Sequence, residues 1–132
     1  IVFVAIDTSN LNQAKKIINH TQKHKLIPKF GLQFFYSKNG RKFLEDYRSE
    51  FMLDIKASDI PQTISSALHS IRDLKPKYLT VMASVGLQGL KAFKKEALKI
   101  GVAEKSINSM VSGIVSPTNS FPRMISEHKQ YR

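Results

Sequence analysis

Three ionisable residues, Asp54, Lys56 and Asp59, stand where a run of apolar residues ends. The apolar run at residues 51–53 predicts a buried strand, and Pro61 with apolar residues at helical spacing after it predicts a helix. Side chains two apart on a strand point to the same face, so we expect Asp54 and Lys56 to lie side by side. The group is therefore either a structural ion pair, with Asp59 capping the helix, or a reaction centre.

The surrounding chain alternates between strand-like and helix-like patterns. Apolar runs predict strands at residues 1–6, 26–30 and 78–83, beside the one that contains Asp54. We expect the first run to be buried on both faces, and the aromatic residues Phe34, Phe35 and Tyr36 to pack in the core. A further strand is predicted at residues 110–115, between two short helices. Such alternation implies parallel strands joined by right-handed crossovers, in either a barrel or an open doubly wound sheet.

Polar residues end one predicted strand after another, and this favours the barrel. The glycine-rich dinucleotide signature is missing after the first strand, and no phosphate-loop sequence occurs. A β/α barrel places its active site at the carboxyl ends of its strands, where Asp7, Lys29, Asp54 and Ser84 stand. A complete barrel has eight units in about 250 residues, whereas about five units can be counted here. We predict an α/β chain of the (β/α)8 TIM-barrel family that is only partly represented.

Composition narrows the classes of partner. The chain has 132 residues, no cysteine and a formal net charge of +11. The charge indicates anionic partners, but the basic residues are scattered over several predicted helices, so a nucleic-acid partner is not predicted. No apolar run has membrane length and no signal-peptide pattern is present, so we expect no membrane association and a cytoplasmic location. His20 and His24 have helical metal-ligand spacing without a third ligand, and no metal site is predicted.

Residues 51–63 resemble the active-site signature of the orotidine 5′-phosphate decarboxylase family, in its bacterial form. Residues 4–7, 29–35 and 79–84 are similar to the family's first, second and fourth strands, in the same order and spacing. The resemblance therefore covers residues 1–100, which we interpret as the first four β/α units of a single barrel-type domain spanning 1–132. The matching positions of the signature are Asp54, Lys56, Asp59, Ile60, Pro61 and Thr63.

The resemblance implies decarboxylation of orotidine 5′-phosphate to uridine 5′-phosphate, in pyrimidine biosynthesis, without a metal or an organic cofactor. Lys56 would donate the proton to the pyrimidine carbon that loses its carboxylate. Asp54 would crowd the departing carboxylate and help to hold Lys56. Lys29 would pair with Asp54 and bind the sugar, and Asp7 would bind the ribose.

The resemblance also implies a homodimer. Asp59, together with Ile60 and Thr63, would reach into the active site of the neighbouring subunit. With Asp59 counted in, Lys29, Asp54, Lys56 and Asp59 carry no net charge, which makes a dry pocket tolerable.

Two other functions stay open. Metal-dependent sugar-phosphate decarboxylases or aldolases of the same suprafamily share the Asp-x-Lys-x-x-Asp string, although Lys29-x-Gly31 and Pro61-x-Thr63 favour the nucleotide enzyme. A non-catalytic, truncated paralogue that binds phosphate or nucleotide is the other alternative.

The alternative of a truncated paralogue is based on the last part of the chain. Residues 101–132 resemble only a fragment of the family's sixth unit, and the fifth and later strands, which grip the phosphate, have no counterpart. Three explanations of these absent strands stay open: missing segments, a natural truncation, or a fragment. We expect a chain of this length to leave the edge strands of the barrel open.

Overall fold

Strands and helices alternate through the computed structural model, which describes residues 1–102. The strands are β1 (Phe3–Ile6), β2 (Ile27–Gly31), β3 (Met52–Ala57) and β4 (Tyr78–Val81). The helices are α1 (Leu11–Lys23), α2 (Leu32–Phe35), α3 (Gly40–Asp46), α4 (Pro61–Ser70) and α5 (Gly86–Lys99), and a 3-10 turn at Ala83–Val85 precedes α5. The predicted alternation is confirmed over these residues. The predicted strand at residues 110–115, its flanking helices and the proposed sixth-unit fragment lie outside the described residues.

The four strands form one parallel sheet in the order β1-β2-β3-β4. A doubly wound sheet reverses its strand order at a switch point, whereas a barrel adds each new strand beside the last. The order is therefore that of a barrel. Because all four strands run in the same direction, their carboxyl ends meet at one edge of the sheet, where the ionisable residues were predicted to gather.

The sheet is curved. The rings of Phe3 in β1 and Tyr78 in β4 have centroids 5.1 Å apart on one face of the sheet. In a flat sheet these strands would be about 14 Å apart, since neighbouring strands are spaced by 4.7–4.9 Å and side chains stand roughly perpendicular to the sheet. Met52 and Ile27 complete this small cluster. It covers the face opposite the main core, where a barrel has its interior.

The main core lies between the sheet and the helices and contains an aromatic group. Phe30 of β2 contacts four other rings at centroid distances between 4.9 and 6.3 Å: Phe34, Phe43, Tyr47 and Phe51. These contacts fix α2 and α3 against the sheet. The core prediction was correct for Phe34 and wrong for Tyr36, which is 76% exposed because α2 ends at Phe35 and Tyr36 is its C-cap.

Other local predictions had mixed outcomes. The Asn10 side chain caps α1 by accepting a hydrogen bond from the Gln13 N–H at 3.0 Å. The prediction that both faces of the first strand are buried was wrong, since Ala5 is exposed. Among residues 1–102, β1 pairs only with β2, so one of its edges is left open. The fourth strand ends at Val81, because the chain turns into the 3-10 segment at Ala83.

Candidate active site

Asp54 is the centre of a charged cluster at the carboxyl end of the sheet. Its Oδ2 accepts a hydrogen bond from Lys56 Nζ at 2.7 Å and another from Lys29 Nζ at 3.2 Å. The Asp54 side chain is 7% exposed, whereas those of Lys29 and Lys56 are 30% and 53% exposed. One buried carboxylate therefore holds two ammonium groups whose outer sides remain accessible to a ligand.

Strand register places Lys29 and Asp7 beside Asp54. Gly31 of β2 pairs with Asp54 in the parallel ladder, and Lys29 lies two residues before it, on the same face. A Cβ on Gly31 would lie 3.0 Å from Asp7 Oδ1, so the Asp7 carboxylate, which is exposed, lies over this glycine. The structure thus brings together three of the predicted site residues, Asp7, Lys29 and Asp54, from three neighbouring strands.

Lys56 reaches Asp54 through an irregularity of β3. The ladder between β3 and β4 passes from the pair Leu53–Leu79 to the pair Ala57–Val81, so residues 54–56 all lie opposite Thr80. Lys56 itself has a left-handed backbone, with φ of 47°. Bulges of this kind re-aim side chains and are common next to active sites. The predicted contact between Asp54 and Lys56 is confirmed, but a bulge makes it and not the regular alternation of a strand.

Thr80 is a further member of the cluster that the sequence reasoning missed. Its hydroxyl donates to Asp54 Oδ1 at 2.8 Å and accepts from the Lys56 N–H at 2.8 Å. Thr80 is buried in β4. The available signal was a hydroxyl inside an otherwise apolar strand pattern, at residues 78–81, next to the strand that contains Asp54.

The surroundings of Asp54 hold its carboxyl in the charged form. Burial alone raises its pKa, but the hydrogen bonds from Lys56, Thr80 and Lys29 together outweigh burial and leave the pKa below its ordinary value. Lys29, Asp54 and Lys56 carry a joint charge of +1 when all three are ionised, and the Asp7 carboxylate beside them brings the sum to zero. The accessible sides of the two ammonium groups can bind an anionic group, and Lys56 provides a fixed positive charge beside which negative charge can develop.

Asp59 stands outside the hydrogen-bonded cluster around Asp54. Its Oδ1 accepts a hydrogen bond from the Ile60 N–H at 2.7 Å, and no ion pair within residues 1–102 includes it. The helix-cap interpretation was wrong, because the N-cap of α4 is Ile60 and it has no side-chain cap.

Asp59 nevertheless shares a surface groove with Lys56. The groove has a volume of about 490 Å³, and Tyr36, Lys56, Asp59 and Thr63 are among the residues that line it. Ile60 stands next to Asp59 and is 65% exposed. The predicted site residues therefore fall into two groups: one gathers around Asp54, and the other forms an exposed rim of this groove.

The fold and the cluster define a class of protein: a β/α-barrel-type chain with a charged lysine–aspartate cluster at the carboxyl ends of its strands. The family model described as "Orotidine 5'-phosphate decarboxylase / HUMPS family" matches residues 1–124. The chain belongs to this family.

Individual members of the family are also similar to this chain in sequence. An orotidine 5′-phosphate decarboxylase of Oenococcus oeni is 35% identical over 95 residues, covering 69% of this chain and 41% of that protein. One of Malacoplasma penetrans is 27% identical over 122 residues, covering 90% of this chain and 50% of that protein. The chain spans half or less of the length of these two relatives.

Solved structures show the same fold. The crystal structure of orotidine 5′-phosphate decarboxylase from Lactobacillus acidophilus matches with a TM-score of 0.65 and 28% identity, over 80% of this chain and 48% of that one. An uncharacterized conserved protein from Geobacillus kaustophilus matches with a TM-score of 0.66 over 97% of this chain and 66% of that one. At 17% identity the second likeness concerns the fold alone. The predicted TIM-barrel class and family resemblance are both confirmed.

Two further observations concern residues 1–102. No helix there combines the length and the apolar character that crossing a membrane requires. The rings of His20 and His24 lie edge to face, with centroids 5.9 Å apart, and no group of three or more potential metal-ligating side chains occurs in this part of the chain.

Proposed function

We propose that this chain carries the proton-donating part of an orotidine 5′-phosphate decarboxylase site, which converts orotidine 5′-phosphate to uridine 5′-phosphate in pyrimidine biosynthesis. The observation that supports it most strongly is the Lys56 ammonium, held 2.7 Å from the buried Asp54 carboxylate at the carboxyl end of the sheet. Membership of the family makes this reaction the first candidate. We also propose a cytoplasmic location, with which a chain lacking cysteine is compatible.

The chemistry follows from charge and position. Breaking the bond to the carboxylate releases carbon dioxide and leaves an electron pair on the pyrimidine carbon. An ammonium fixed beside that carbon stabilises the developing negative charge, and Lys56 then transfers its proton to the carbon. Asp54 would oppose the substrate carboxylate through like-charge repulsion before it departs. None of these steps uses a metal or an organic cofactor.

The neighbouring groups suit the sugar. Lys29 is bound to Asp54 on one side and is 30% exposed on the other, so its ammonium can also donate to a ribose oxygen. The exposed Asp7 carboxylate, above Gly31, can accept hydrogen bonds from ribose hydroxyl groups. We propose these two residues as the sugar-binding side of the site.

We expect the complete gene product to convert orotidine 5′-phosphate to uridine 5′-phosphate in the presence of excess chelator. The measurement is the loss of orotate-ring absorbance, with product confirmed by chromatography. Activity that disappears with chelator and returns with a divalent metal would indicate the metal-dependent sugar-phosphate relatives, which a pentulose phosphate assay would then test. Binding of uridine 5′-phosphate without turnover would indicate the non-catalytic paralogue.

We further propose a homodimer in which Asp59, Ile60 and Thr63 complete the site of the partner. Asp59 has no hydrogen bond or ion pair with its own cluster, the exposed Tyr36 lines the groove, and the exposed apolar Ile60 follows the groove residue Asp59 in the chain, so a second subunit at the groove would cover them. The substitution Ile60→Glu would place a charge in that contact. We expect it to convert the dimer to a monomer in sedimentation velocity, with a loss of turnover.

Leu98→Glu is the matched control for the dimer. Leu98 is also an exposed apolar residue, but it lies on α5 and does not line the groove. We expect this variant to remain dimeric. An active wild-type protein that sediments only as a monomer would contradict the proposal that Asp59 acts across an interface.

A further inference from the structure

We propose that Thr80 is a positioning residue of this site: its hydroxyl joins the Asp54 carboxylate to the Lys56 backbone and so sets the aim of the Lys56 ammonium. The inference rests on the proposed function for its catalytic consequence, but its structural part can be tested without turnover. Thr80 would not contact the reacting atoms and would act only through Asp54 and Lys56.

The Asp54 carboxylate accepts hydrogen bonds on both of its oxygens. Both lysines bind Oδ2 of Asp54, at 2.7 and 3.2 Å, but their side chains are long and flexible and can follow Oδ2 as the carboxylate turns about the Cβ–Cγ bond. The Thr80 hydroxyl binds the other oxygen, Oδ1, at 2.8 Å. With one donor on each side the plane of the carboxylate is defined, and the direction in which Oδ2 presents itself to Lys56 is defined with it.

The backbone of Lys56 is also bound to Thr80. Its left-handed conformation, with φ of 47°, is unfavourable for a residue with a side chain and persists only where neighbouring contacts impose it. In the irregular stretch opposite Thr80, the Lys56 N–H donates to Thr80 Oγ1 at 2.8 Å. One hydroxyl therefore holds both ends of the unit: the backbone from which Lys56 projects, and the carboxylate to which its ammonium is bound.

The two hydrogen bonds at position 80 require a hydroxyl side chain. The group at position 80 must donate one hydrogen bond and accept another while buried in an outer strand of the described sheet, at 3% exposure. A hydroxyl does both, and the branched Thr side chain also suits a strand. Valine has the same shape and does neither. Serine keeps the hydroxyl and loses only the methyl group.

The test compares Thr80→Val with Thr80→Ser in the intact protein by two methods. The first is NMR, which follows the titration of the Asp54 carboxyl carbon and the exchange protection of the Lys56 amide. The second is steady-state decarboxylation. For Thr80→Val we expect the Asp54 pKa to rise, the Lys56 amide to lose protection and kcat to fall about 100-fold, with KM changed by less than about threefold. In Thr80→Ser, which keeps the hydroxyl, the Asp54 pKa, the protection of the Lys56 amide and kcat should stay near their wild-type values.

The result that would overturn the proposal is a Thr80→Val protein with wild-type Asp54 titration and Lys56 protection, or a Thr80→Ser protein as impaired as Thr80→Val. If Thr80→Val does not fold, the proposal is tested on the wild-type and Thr80→Ser proteins. An unprotected Lys56 amide in either of them contradicts it. A purely structural role would lower the melting temperature without moving the Asp54 titration. Absence of turnover in the wild type would refute the proposed function and leave the NMR outcome to decide about Thr80.

Discussion

Replacing Lys56 with alanine is expected to lower turnover of orotidine 5′-phosphate by about 10³-fold or more while the protein stays folded. The loss combines the missing proton donor, which is commonly worth 10²–10⁴-fold, with the missing positive charge beside the developing carbanion. Folding should survive because the Lys56 side chain is 53% exposed and packs little against the core. The measurements are kcat and KM together with a thermal unfolding curve.

Lys75→Ala is the matched control for the Lys56 variant. Lys75 is also an exposed lysine with a left-handed backbone, with φ of 52°, but it stands before β4, outside the charged cluster. We expect it to keep wild-type turnover.

Lys56→Arg should be nearly as inactive as Lys56→Ala. A guanidinium keeps the charge but does not release its proton at neutral pH, and its fork shape does not match the place of an ammonium. An active Lys56→Ala protein would refute the role of Lys56 as proton donor.

The second large effect is expected for Asp54→Asn, which removes the one negative charge shared by Lys29 and Lys56. The two ammonium groups then face a neutral amide and repel each other, so Lys56 loses the partner that aims it. We expect kcat to fall by about 10²–10³-fold, in line with the cost of misplacing a catalytic group. We expect a stability loss of about 1–3 kcal/mol, the usual cost of breaking a hydrogen-bonded charge pair of this kind. Urea denaturation and steady-state kinetics measure the two effects.

The same substitution has a pH signature with a definite sign. The pKa of Asp54 is lower in the folded chain than in the unfolded chain, because its hydrogen bonds from the two lysines and Thr80 outweigh the opposing effect of burial. A lowered folded pKa stabilises the fold above the unfolded pKa of about 4, and this contribution is lost as the pH falls through the folded value. The wild type should therefore lose stability on acidification below about pH 4, and Asp54→Asn should lose less over that range.

Asp73→Asn is the control for the Asp54 variant. Asp73 also accepts a hydrogen bond from a cationic side chain, Arg41, at 3.1 Å, but it is exposed and has no hydrogen bond or ion pair with a residue of the Asp54 cluster. An exposed pair contributes little, so we expect the acid dependence and the turnover of the wild type. If Asp54→Asn and the wild type lost stability in parallel below pH 4, the proposed charge state of Asp54 would be wrong.

The sequence alone was sufficient for most of the local structure and for half of the site. Continuous apolar runs and helical spacing predicted four β/α units, and Pro61 marked the start of α4, because helix starts and periodicity depend on residues close together in the chain. The spacing of Asp54 and Lys56 predicted the lysine–aspartate contact, and the resemblance of residues 51–63 and of three strands to a known family indicated the family.

The remaining features depend on how distant parts of the chain meet. The bulge opposite Thr80 arises from the register between β3 and β4, which no local pattern encodes, and it decides both the backbone of Lys56 and the role of Thr80. The exposure of β1 depends on which strand lies beside it, and that of Tyr36 on where α2 ends. Asp59 lines the groove and forms no ion pair with the lysines of its own cluster. Residue types and short spacings thus specify the chemistry available to this site, whereas its geometry is set by pairings between strands some 25 residues apart in the chain.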